Sequence, residues 1–322
     1  MTDVRNPDPD ICIVGCASWD TLLPVDRYPA EGEYCTASAE YETPGGTSTN
    51  TAMALAALGA PPRFVGMVGD DWRGERLRAG LEGAGVVCDT LRVRQGQESD
   101  RSVIPISPTG GRTIFWIKGA MLHRGDPLDH DLLFGHRLLY IDVVDLALWD
   151  DVLRAHESAK ATNADAPRLI GQAVYVAGIL PPVEAMALVG RHTVFIGGEW
   201  EWKLIAGETT RDALVARVQR LVQTAHLSCA VITHGAEGCT TITRDGTFLL
   251  PAAPVAVVDT TGAGDAFAAG FLYGLARDWD AARCTRFATA VGGLATRAFG
   301  SQASLPTLDE AWSLAFGDAP PM

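Results

Sequence analysis

Short apolar runs alternate with amphipathic segments along most of the chain. The run ICIVG at 11–15 ends in glycine and predicts a buried strand. An Ala/Leu-rich helix is predicted from an N-cap at Ser48 or Thr49 to Leu58, just before Gly59. Further strands are predicted at 138–142, 172–178, 193–197 and 229–233, with helices between them. This order is typical of a parallel sheet covered by helices.

Two other segments predict a smaller sheet outside the main layer. Residues 33–43 mix β-forming and polar residues in rough alternation, which predicts a strand pair with one exposed face. The runs SVIPIS at 102–107 and RTIFWI at 112–117 flank the turn sequence PTGG and predict a hairpin. The last ~60 residues are mainly helical, with two Gly/Ala-rich helices that we expect to pack closely.

Charge and composition narrow the classes of partner. The chain has 26 Lys and Arg against 39 Asp and Glu, a formal net charge of −13, which repels phosphate backbones and anionic lipid. Nucleic acid is therefore not an expected partner. No long apolar stretch or leader pattern occurs, so we expect a cytoplasmic protein without a membrane span. The seven cysteines show no CxxC pair, which favours reduced thiols over a zinc site.

The segment at 255–275, VAVVDTTGAGDAFAAGFLYGL, carries the most chemical information. An apolar strand is predicted to end at Asp259, and Gly262, Ala263 and Gly264 allow a tight turn before a helix that begins at about Asp265. Free backbone N–H groups at such a helix start form a binding site for phosphoryl oxygens. A carboxylate in an anion site repels phosphate, so Asp265 is either a general base for phosphoryl transfer or a simple N-cap.

Four motifs in this sequence resemble those of one enzyme family. DTTGAGDAFAAGFL at 259–272 resembles the C-terminal signature of the ribokinase-like (PfkB-type) carbohydrate kinases, and GGTSTNTAMALAALG at 45–59 resembles their first signature. ITHGAEGC at 232–239 is similar to the family's Thr-x-Gly-x-x-Gly nucleotide loop, and GEWEWKLIAG at 198–207 to its Asn-x-x-Glu element. The resemblance implies one three-layer α/β/α domain over residues 1–322, with a mostly parallel central sheet and a small β-sheet lid at about 20–45 and 98–118.

The resemblance also implies roles for individual residues. It makes Asp265 the general base and the amides of Gly262, Ala263 and Gly264 the anion hole. The other implied contacts are Asp20, Gly45, Gly46 and Asn50 for the sugar; Thr233, Gly235 and Gly238 for ATP; Glu201 for Mg²⁺; and Asp259, Thr261, Gly300 and Ser304 for K⁺.

The sequence departs from the family pattern at two positions. Gly198 stands where the family has the Asn that precedes Glu201, and Ser48 stands where it prefers Gly, Ala or Pro. Asp142, after the strand at 138–142, is a further candidate for a sugar contact.

The implied activity is ATP-dependent phosphorylation of a sugar hydroxyl, with ribose, fructose or another ketohexose, 2-keto-3-deoxygluconate and nucleosides all open as acceptors. An aromatic stack from Trp19 or Trp116 would favour a nucleoside. A non-catalytic sugar or nucleotide sensor stays open because of Gly198. A Rossmann dehydrogenase is disfavoured, since no GxGxxG follows the first strand. A homodimer through the lid sheet and a monomer are both compatible with the sequence.

Overall fold

The computed structural model describes residues 9–108, 111–163 and 165–317. The strands within these ranges are β1 (Ile11–Gly15), β2 (Ser18–Pro24), β3 (Tyr41–Gly45), β4 (Arg63–Gly69), β5 (Leu91–Arg94), β6 (Asp100–Ile106), β7 (Phe115–Ile117), β8 (Leu138–Asp142), β9 (Arg168–Gln172), β10 (Val194–Gly198), β11 (Cys229–Thr233), β12 (Cys239–Thr243) and β13 (Thr247–Leu250). The α-helices are α1 (Thr47–Ala57), α2 (Trp72–Gly83), α3 (His130–Phe134), α4 (Leu146–Thr162), α5 (Pro182–Val189), α6 (Glu199–Ala206), α7 (Arg211–Thr224), α8 (Ala263–Leu275), α9 (Ala281–Leu294) and α10 (Leu308–Phe316).

The central sheet has the strand order β13-β12-β11-β10-β9-β8-β1-β4-β5. The pairs from β11 to β5 are parallel, whereas β12 and β13 add an antiparallel hairpin at one edge. Successive residues of a strand point to opposite faces, and both faces of this sheet are covered. Ile13 belongs to the hydrophobic core that includes residues of α1, α2 and α8–α10, while its neighbour Val14 belongs to the core that includes residues of α3–α7. These two hydrophobic cores confirm the predicted three-layer α/β/α fold.

The two Gly/Ala-rich helices near the C-terminal end pack closely, as predicted. A Cβ atom on Gly270 of α8 would lie 2.8 Å from the Cα of Ala288 in α9, well inside van der Waals contact. The absent side chain therefore lets the two backbones approach and fixes the position of α8. Because α8 carries the candidate anion site at its N-terminus, this packing also sets where that site lies.

A second, four-stranded sheet has the order β3-β2-β6-β7 and lies outside the central one. Strand β2 pairs antiparallel with β3 and parallel with β6, and β6 pairs antiparallel with β7. The last pair is the predicted hairpin, although residues 109–110 of its turn lie outside the described residues.

Several predicted boundaries are wrong. The strand predicted at 172–178 lies at 168–172, because RLIGQ is the segment in register with β8 and β10. Residues 33–40 form no regular strand; their alternation of polar residues lies in an exposed loop, and β3 begins only at Tyr41. The run 255–259 is a loop rather than a strand, and its Val257 and Val258 are exposed.

The start of α1 also differs from the prediction. Gly46 is the N-cap residue and offers no side chain, so neither Ser48 nor Thr49 caps the helix. The Ser48 hydroxyl instead donates to the carboxylate of Asp142 at 3.0 Å and accepts from the Cys16 N–H. No helix within the described ranges is long and apolar enough to cross a membrane.

Candidate active site

A cavity of about 470 Å³ lies between the small sheet and the carboxyl ends of the parallel strands β9–β11. Open α/β sheets bind ligands at this edge, because the loops that follow the strands meet there. The predicted site residues that line the cavity are Asp20, Gly46, Asn50, Glu201, Thr233, Thr261, Gly262, Gly264 and Asp265. Those that do not line it are Gly45, Gly235, Gly238, Asp259, Ala263, Gly300 and Ser304.

Asp265 is the third residue of α8 and lies on the wall of this cavity. Its two carboxylate oxygens are held separately: Asn50 Nδ2 donates to Oδ2 at 2.9 Å, and Gln172 Nε2 donates to Oδ1 at 3.1 Å. Burial raises the pKa of Asp265 to about 6, and the two amide donors oppose that rise. A carboxyl group with this pKa is mainly ionised at neutral pH and can still accept a proton.

The turn before α8 presents backbone N–H groups to the cavity. Gly262 is left-handed, with φ +76°, and a Cβ there would lie 2.6 Å from the Cβ of Ser301, so only glycine fits. Gly264 is the second residue of α8, so its N–H has no acceptor one helical turn back, and the residue lines the cavity. The Ala263 N–H already donates to the carbonyl of Thr260 at 3.3 Å. Of the three predicted anion-hole residues, Gly262 and Gly264 line the cavity and Ala263 does not.

The predicted potassium residues form a loop junction behind this turn. Asp259 Oδ1 accepts from the N–H and the hydroxyl of Thr261 at 2.9 and 2.8 Å, and Oδ2 accepts from the Gly300 N–H at 2.9 Å. The Ser304 hydroxyl instead donates to the carbonyl of Ala295 within its own loop. Asp259 thus ties the turn to the loop at Gly300, and the hydroxyl of Ser304 does not join this group.

Asp20 projects from β2 into the cavity and is only 8% exposed. Its pKa is raised to about 7, mainly by burial; a hydrogen bond from Ser102 opposes the rise, and the charges of Asp100 and Asp265 contribute to it. A Cβ atom on Gly45, in the paired strand β3, would overlap the Asp20 carboxylate. Gly45 therefore makes room for Asp20 and does not itself line the cavity.

Gly46 and Asn50 belong to the turn and first helix that face Asp265. Gly46 has φ +88°, and a Cβ there would lie 3.0 Å from the Ser18 N, which favours glycine at this position. Asn50 Oδ1 accepts from the hydroxyl of Ser301 at 3.0 Å while Nδ2 holds Asp265. Asn50 therefore positions Asp265 as well as lining the cavity.

The predicted nucleotide loop follows β11. Thr233 is the last residue of that strand and lines the cavity. Gly235 and Gly238 have φ +58° and +94°, and a Cβ on Gly238 would overlap the carbonyl oxygen of Leu250. Gly238 therefore serves the packing of the β12–β13 hairpin, and Thr233 is the residue of this motif that a ligand in the cavity would contact.

Glu201, in the first turn of α6, lines the cavity on the side of Thr233. A Cβ on Gly198 would overlap Oε2 of Glu201, so the absent side chain at 198 makes room for this carboxylate. Any larger residue at 198, the family Asn included, would require the Glu201 carboxylate to move.

Several cavity residues were not singled out from the sequence. Asp100 and Ser102 belong to β6, where buried residues alternate with partly exposed ones. Both are polar residues at buried positions of this alternation, and that pattern could have marked them as candidate site residues. Gln172 was missed because its strand was predicted four residues too late, which also placed Tyr175 inside a strand. Trp116 lines the cavity, as one of the two predicted aromatics, and its ring centroid lies 6.4 Å from that of Tyr175.

Two other candidates lie outside the cavity. Trp19 is buried and packs edge-on against Trp72, with ring centroids 5.4 Å apart. Asp142 is fully buried and accepts hydrogen bonds from the hydroxyls of Thr47 and Ser48. Burial raises its pKa to about 7. Neither residue is positioned to contact a ligand in the described cavity.

The sequence of this chain is similar to sequences named ribokinase and fructokinase over most of its length. The ribokinase of Bacillus subtilis (strain 168) is 29% identical over 306 residues, which is 94% of this chain and 97% of that protein. A probable chloroplastic fructokinase-6 of Arabidopsis thaliana is 28% identical over 288 residues, 84% of this chain and 74% of the relative.

Solved structures superpose over nearly the whole chain. Arabidopsis thaliana ribokinase complexed with ribose and ATP superposes with a TM-score of 0.81 at 23% identity, covering 96% of this chain and 99% of that one. Burkholderia thailandensis nucleoside kinase in complex with inosine superposes with a TM-score of 0.77 at 24% identity, covering 96% and 98%. The family model described as pfkB family carbohydrate kinase matches residues 8–308, and the chain therefore belongs to the pfkB family of carbohydrate kinases.

Proposed function

We propose that this kinase transfers the γ-phosphoryl group of ATP to a hydroxyl group of a sugar, with Asp265 as the general base. The observation that carries the proposal is the position of the Asp265 carboxylate. It lies in the first turn of α8, next to Gly264, whose N–H has no acceptor one helical turn back, and two side-chain amides hold it at the wall of the same cavity. A base and an anion site in one cavity are what in-line phosphoryl transfer needs.

In the proposed reaction, Asp265 accepts the proton of the acceptor hydroxyl as its oxygen attacks the γ-phosphorus. The new oxygen–phosphorus bond forms while the bond from the γ-phosphorus to the bridging oxygen of ADP breaks. The N–H groups of Gly262 and Gly264 donate to the phosphoryl oxygens, whose charge spreads in the transition state. Arg112, which lines the cavity 3.4 Å from Thr260 Oγ1, adds a positive charge on the same side.

The residues present fit a magnesium ion held mainly by the nucleotide. Within the described ranges no group of three or more His, Cys, Asp or Glu is arranged to hold a metal, but Glu201 faces the cavity. Mg²⁺ usually takes one or two carboxylates, phosphate oxygens and waters, and it would neutralise phosphate charge here. The fit to potassium is partial, since the Asp259 carboxylate already accepts three hydrogen bonds, and the proposed reaction does not use it.

For the acceptor, we infer that Asp20 and Asn50 bind sugar hydroxyls, since both are polar side chains that line the cavity. We further propose that the small sheet acts as a lid of a single kinase domain and excludes water when it closes. The exposed Phe115 and Ile117 on β7 give this sheet an apolar edge that a second copy of the chain would cover in a homodimer.

A nucleoside is the second candidate acceptor, and the pair of Trp116 and Tyr175 favours it. Both rings line the cavity, and aromatic faces stack on sugars and on nucleobases alike. A ring system attached to the sugar would extend along these side chains. The fructokinase and nucleoside kinase among the relatives and neighbours are consistent with either acceptor.

The experiment is a coupled ADP-release assay with Mg-ATP across ribose, fructose, other ketoses, 2-keto-3-deoxygluconate and nucleosides. ³¹P NMR of the product then identifies the phosphorylated hydroxyl. We expect turnover that depends on the acceptor. Binding of ATP and a sugar in thermal-shift assays without any ADP release would contradict the proposal and favour a sensor.

A further inference from the structure

The predicted nucleotide loop at 233–238 contains a buried histidine that the proposed reaction does not use. His234 follows Thr233 directly, and its side chain has no exposed surface. Its Nδ1 lies 2.7 Å from Oε2 of Glu199 in α6, and its Nε2 lies 2.7 Å from Oγ1 of Thr240 in β12. Both ring nitrogens are therefore bonded within the protein. We call Glu199 and His234 the bridging pair.

The Glu199 carboxylate is held by several neighbouring side chains. Its Oε2 also accepts from Nε of Arg211 at 2.8 Å, and its Oε1 pairs with Nζ of Lys203 at 2.8 Å. The hydrogen bond from Arg211 is the main reason that the pKa of Glu199 is lowered to about 2. Arg211 also binds Glu237 of the nucleotide loop at 2.9 Å. Glu199 is thus the point at which α6, α7 and the nucleotide loop meet.

The chemistry of the bridging pair assigns a donor and an acceptor to the histidine ring. A carboxylate only accepts hydrogen bonds, so the Nδ1–H of His234 donates to Glu199, and Nε2 accepts from the hydroxyl of Thr240. Burial lowers the pKa of His234, which favours this neutral form at pH 7. A hydrogen bond to an ionised group is stronger than one between neutral groups, so the contact with Glu199 is the stronger of the two.

The bridging pair lies where two cavity-lining segments leave the central sheet. Strands β10 and β11 pair in parallel up to Gly198 and Thr233, and Glu199 and His234 are the next residues of the two segments. Thr233 lies one residue from the bridging pair and Glu201 lies two residues from it, and both line the cavity. The pair therefore connects the two segments beyond the last backbone pairing of their strands.

Other local sources of rigidity are weak at this position. Gly198 is the N-cap residue of α6 and has no side chain to bond the free N–H groups of the helix start. Gly235 and Gly238 both have positive φ, and glycine has the greatest conformational freedom when its contacts are lost. The relative position of Thr233 and Glu201 therefore depends on the bridging pair.

We propose that the bridging pair positions Thr233 and Glu201 for the phosphate groups of the nucleotide, so that it determines the affinity for ATP and ADP and not the affinity for the acceptor. The proposal rests on the kinase activity proposed above and identifies Glu199 and His234 as positioning residues of its nucleotide site. Neither residue lines the cavity, so both act through the residues beside them.

The test separates the affinity for the nucleotide from the affinity for the acceptor. His234→Leu keeps an apolar side chain of similar size and removes both hydrogen bonds of the ring. We expect it to raise the KM for ATP and the calorimetric Kd for ADP by about tenfold, while the KM for the acceptor stays unchanged. His234→Asn can still donate to Glu199 through its amide, so we expect it to restore most of the nucleotide affinity.

Two control variants separate positioning from a general loss of stability. Thr240→Val removes the second partner of His234 and keeps Glu199, so the KM for ATP should not change. His192 is also fully buried and bonded on both ring nitrogens, to Trp149 and to a backbone carbonyl of α5, but lies outside the cavity lining. His192→Leu should therefore lower the free energy of unfolding without changing the affinity for the nucleotide.

A second variant tests the pair without replacing a fully buried side chain. Glu199→Gln, at a partly exposed position, keeps the shape of the side chain and removes the charge that strengthens the bond from His234. We expect it to raise the KM for ATP in the same direction. An unchanged KM for ATP in folded Glu199→Gln and His234→Leu enzymes overturns the proposal. An equal rise in the KM for ATP and the KM for the acceptor, or an equal loss of nucleotide affinity in His192→Leu, also overturns it.

The two proposals fail differently. If no acceptor releases ADP, the kinase proposal fails, and calorimetric binding of ADP then decides on the bridging pair. Weaker ADP binding by His234→Leu, but not by Thr240→Val or His192→Leu, supports the pair. Equal ADP binding by all of these variants, or no ADP binding by the wild type, overturns it.

Discussion

The hydrogen bond from Gln172 to Asp265 is expected to lower the pH below which the kinase loses activity. The Nε2 of Gln172 donates to Oδ1 of Asp265 at 3.1 Å, inside a buried site. A hydrogen bond to the ionised form of a carboxyl group lowers its pKa, so Gln172→Met should raise the pKa of Asp265.

The size of this shift follows from the strength of the bond. A hydrogen bond to a charged group contributes about 1.5–3 kcal/mol, and one pKa unit corresponds to about 1.4 kcal/mol, so the pKa should rise by about one to two units. The starting pKa of Asp265 is about 6. At pH 7 the ionised fraction of the base would therefore fall from about nine-tenths to about a half or less. The direction of the shift follows from this: as the pH is lowered, the variant loses activity at a higher pH than the wild type does.

The assay is the pH profile of kcat/KM with the best acceptor. Gln172 also accepts from the hydroxyl of buried Tyr140, so its replacement removes a second contact. Tyr140→Phe is the matched control, because it removes that contact and leaves the amide on Asp265; we expect no shift of its profile. The reasoning would be refuted if kcat/KM of Gln172→Met fell at the same low pH as that of the wild type. It would also be refuted if Tyr140→Phe shifted the profile by as much as Gln172→Met does.

Other predictions concern neighbouring parts of the structure. Gly45→Ala should push the Asp20 carboxylate aside and raise the KM for the acceptor by about tenfold while the KM for ATP stays unchanged in steady-state assays. Burial raises the pKa of Asp142 to about 7, so the contribution of Asp142 to the free energy of unfolding falls as the pH rises from about 4 to about 7. In urea titrations over this pH range, the free energy of unfolding of Asp142→Asn should therefore decrease less steeply with pH than that of the wild type, by up to about 1.4 kcal/mol per pH unit. Gly270→Val should lower the free energy of unfolding by about 1–3 kcal/mol because the side chain has no room against α9, whereas Gly83→Ala, at an open helix position, should not lower it.

The order of elements was readable from the sequence because buried parallel strands leave a strong signal. The run ICIVG and the first four residues of CAVIT are apolar and buried, as in strands covered on both faces. The same rule misled at 255–259, where an apolar run lies exposed in a loop, and no pattern within five residues distinguishes the two cases.

The candidate site was predictable where one short motif carries it. The glycines before Asp265 signal a special turn, and the structure gives Gly262 a left-handed conformation. Asp100 and Gln172 depend instead on which strands lie side by side, and no local pattern records that a residue of β6 meets one of β2. Long-range pairing, and not local propensity, brings these residues to the cavity.

Replacement of Asp265 by Asn tests most directly whether this residue is the general base. Asp265→Asn keeps the shape of the side chain and removes its ability to accept a proton, so we predict a fall in kcat of about 10²–10⁴-fold with ATP binding within about threefold of the wild type. A kcat within about fivefold of the wild type, measured by ADP release with the same acceptor, would contradict the assignment of Asp265 as the base.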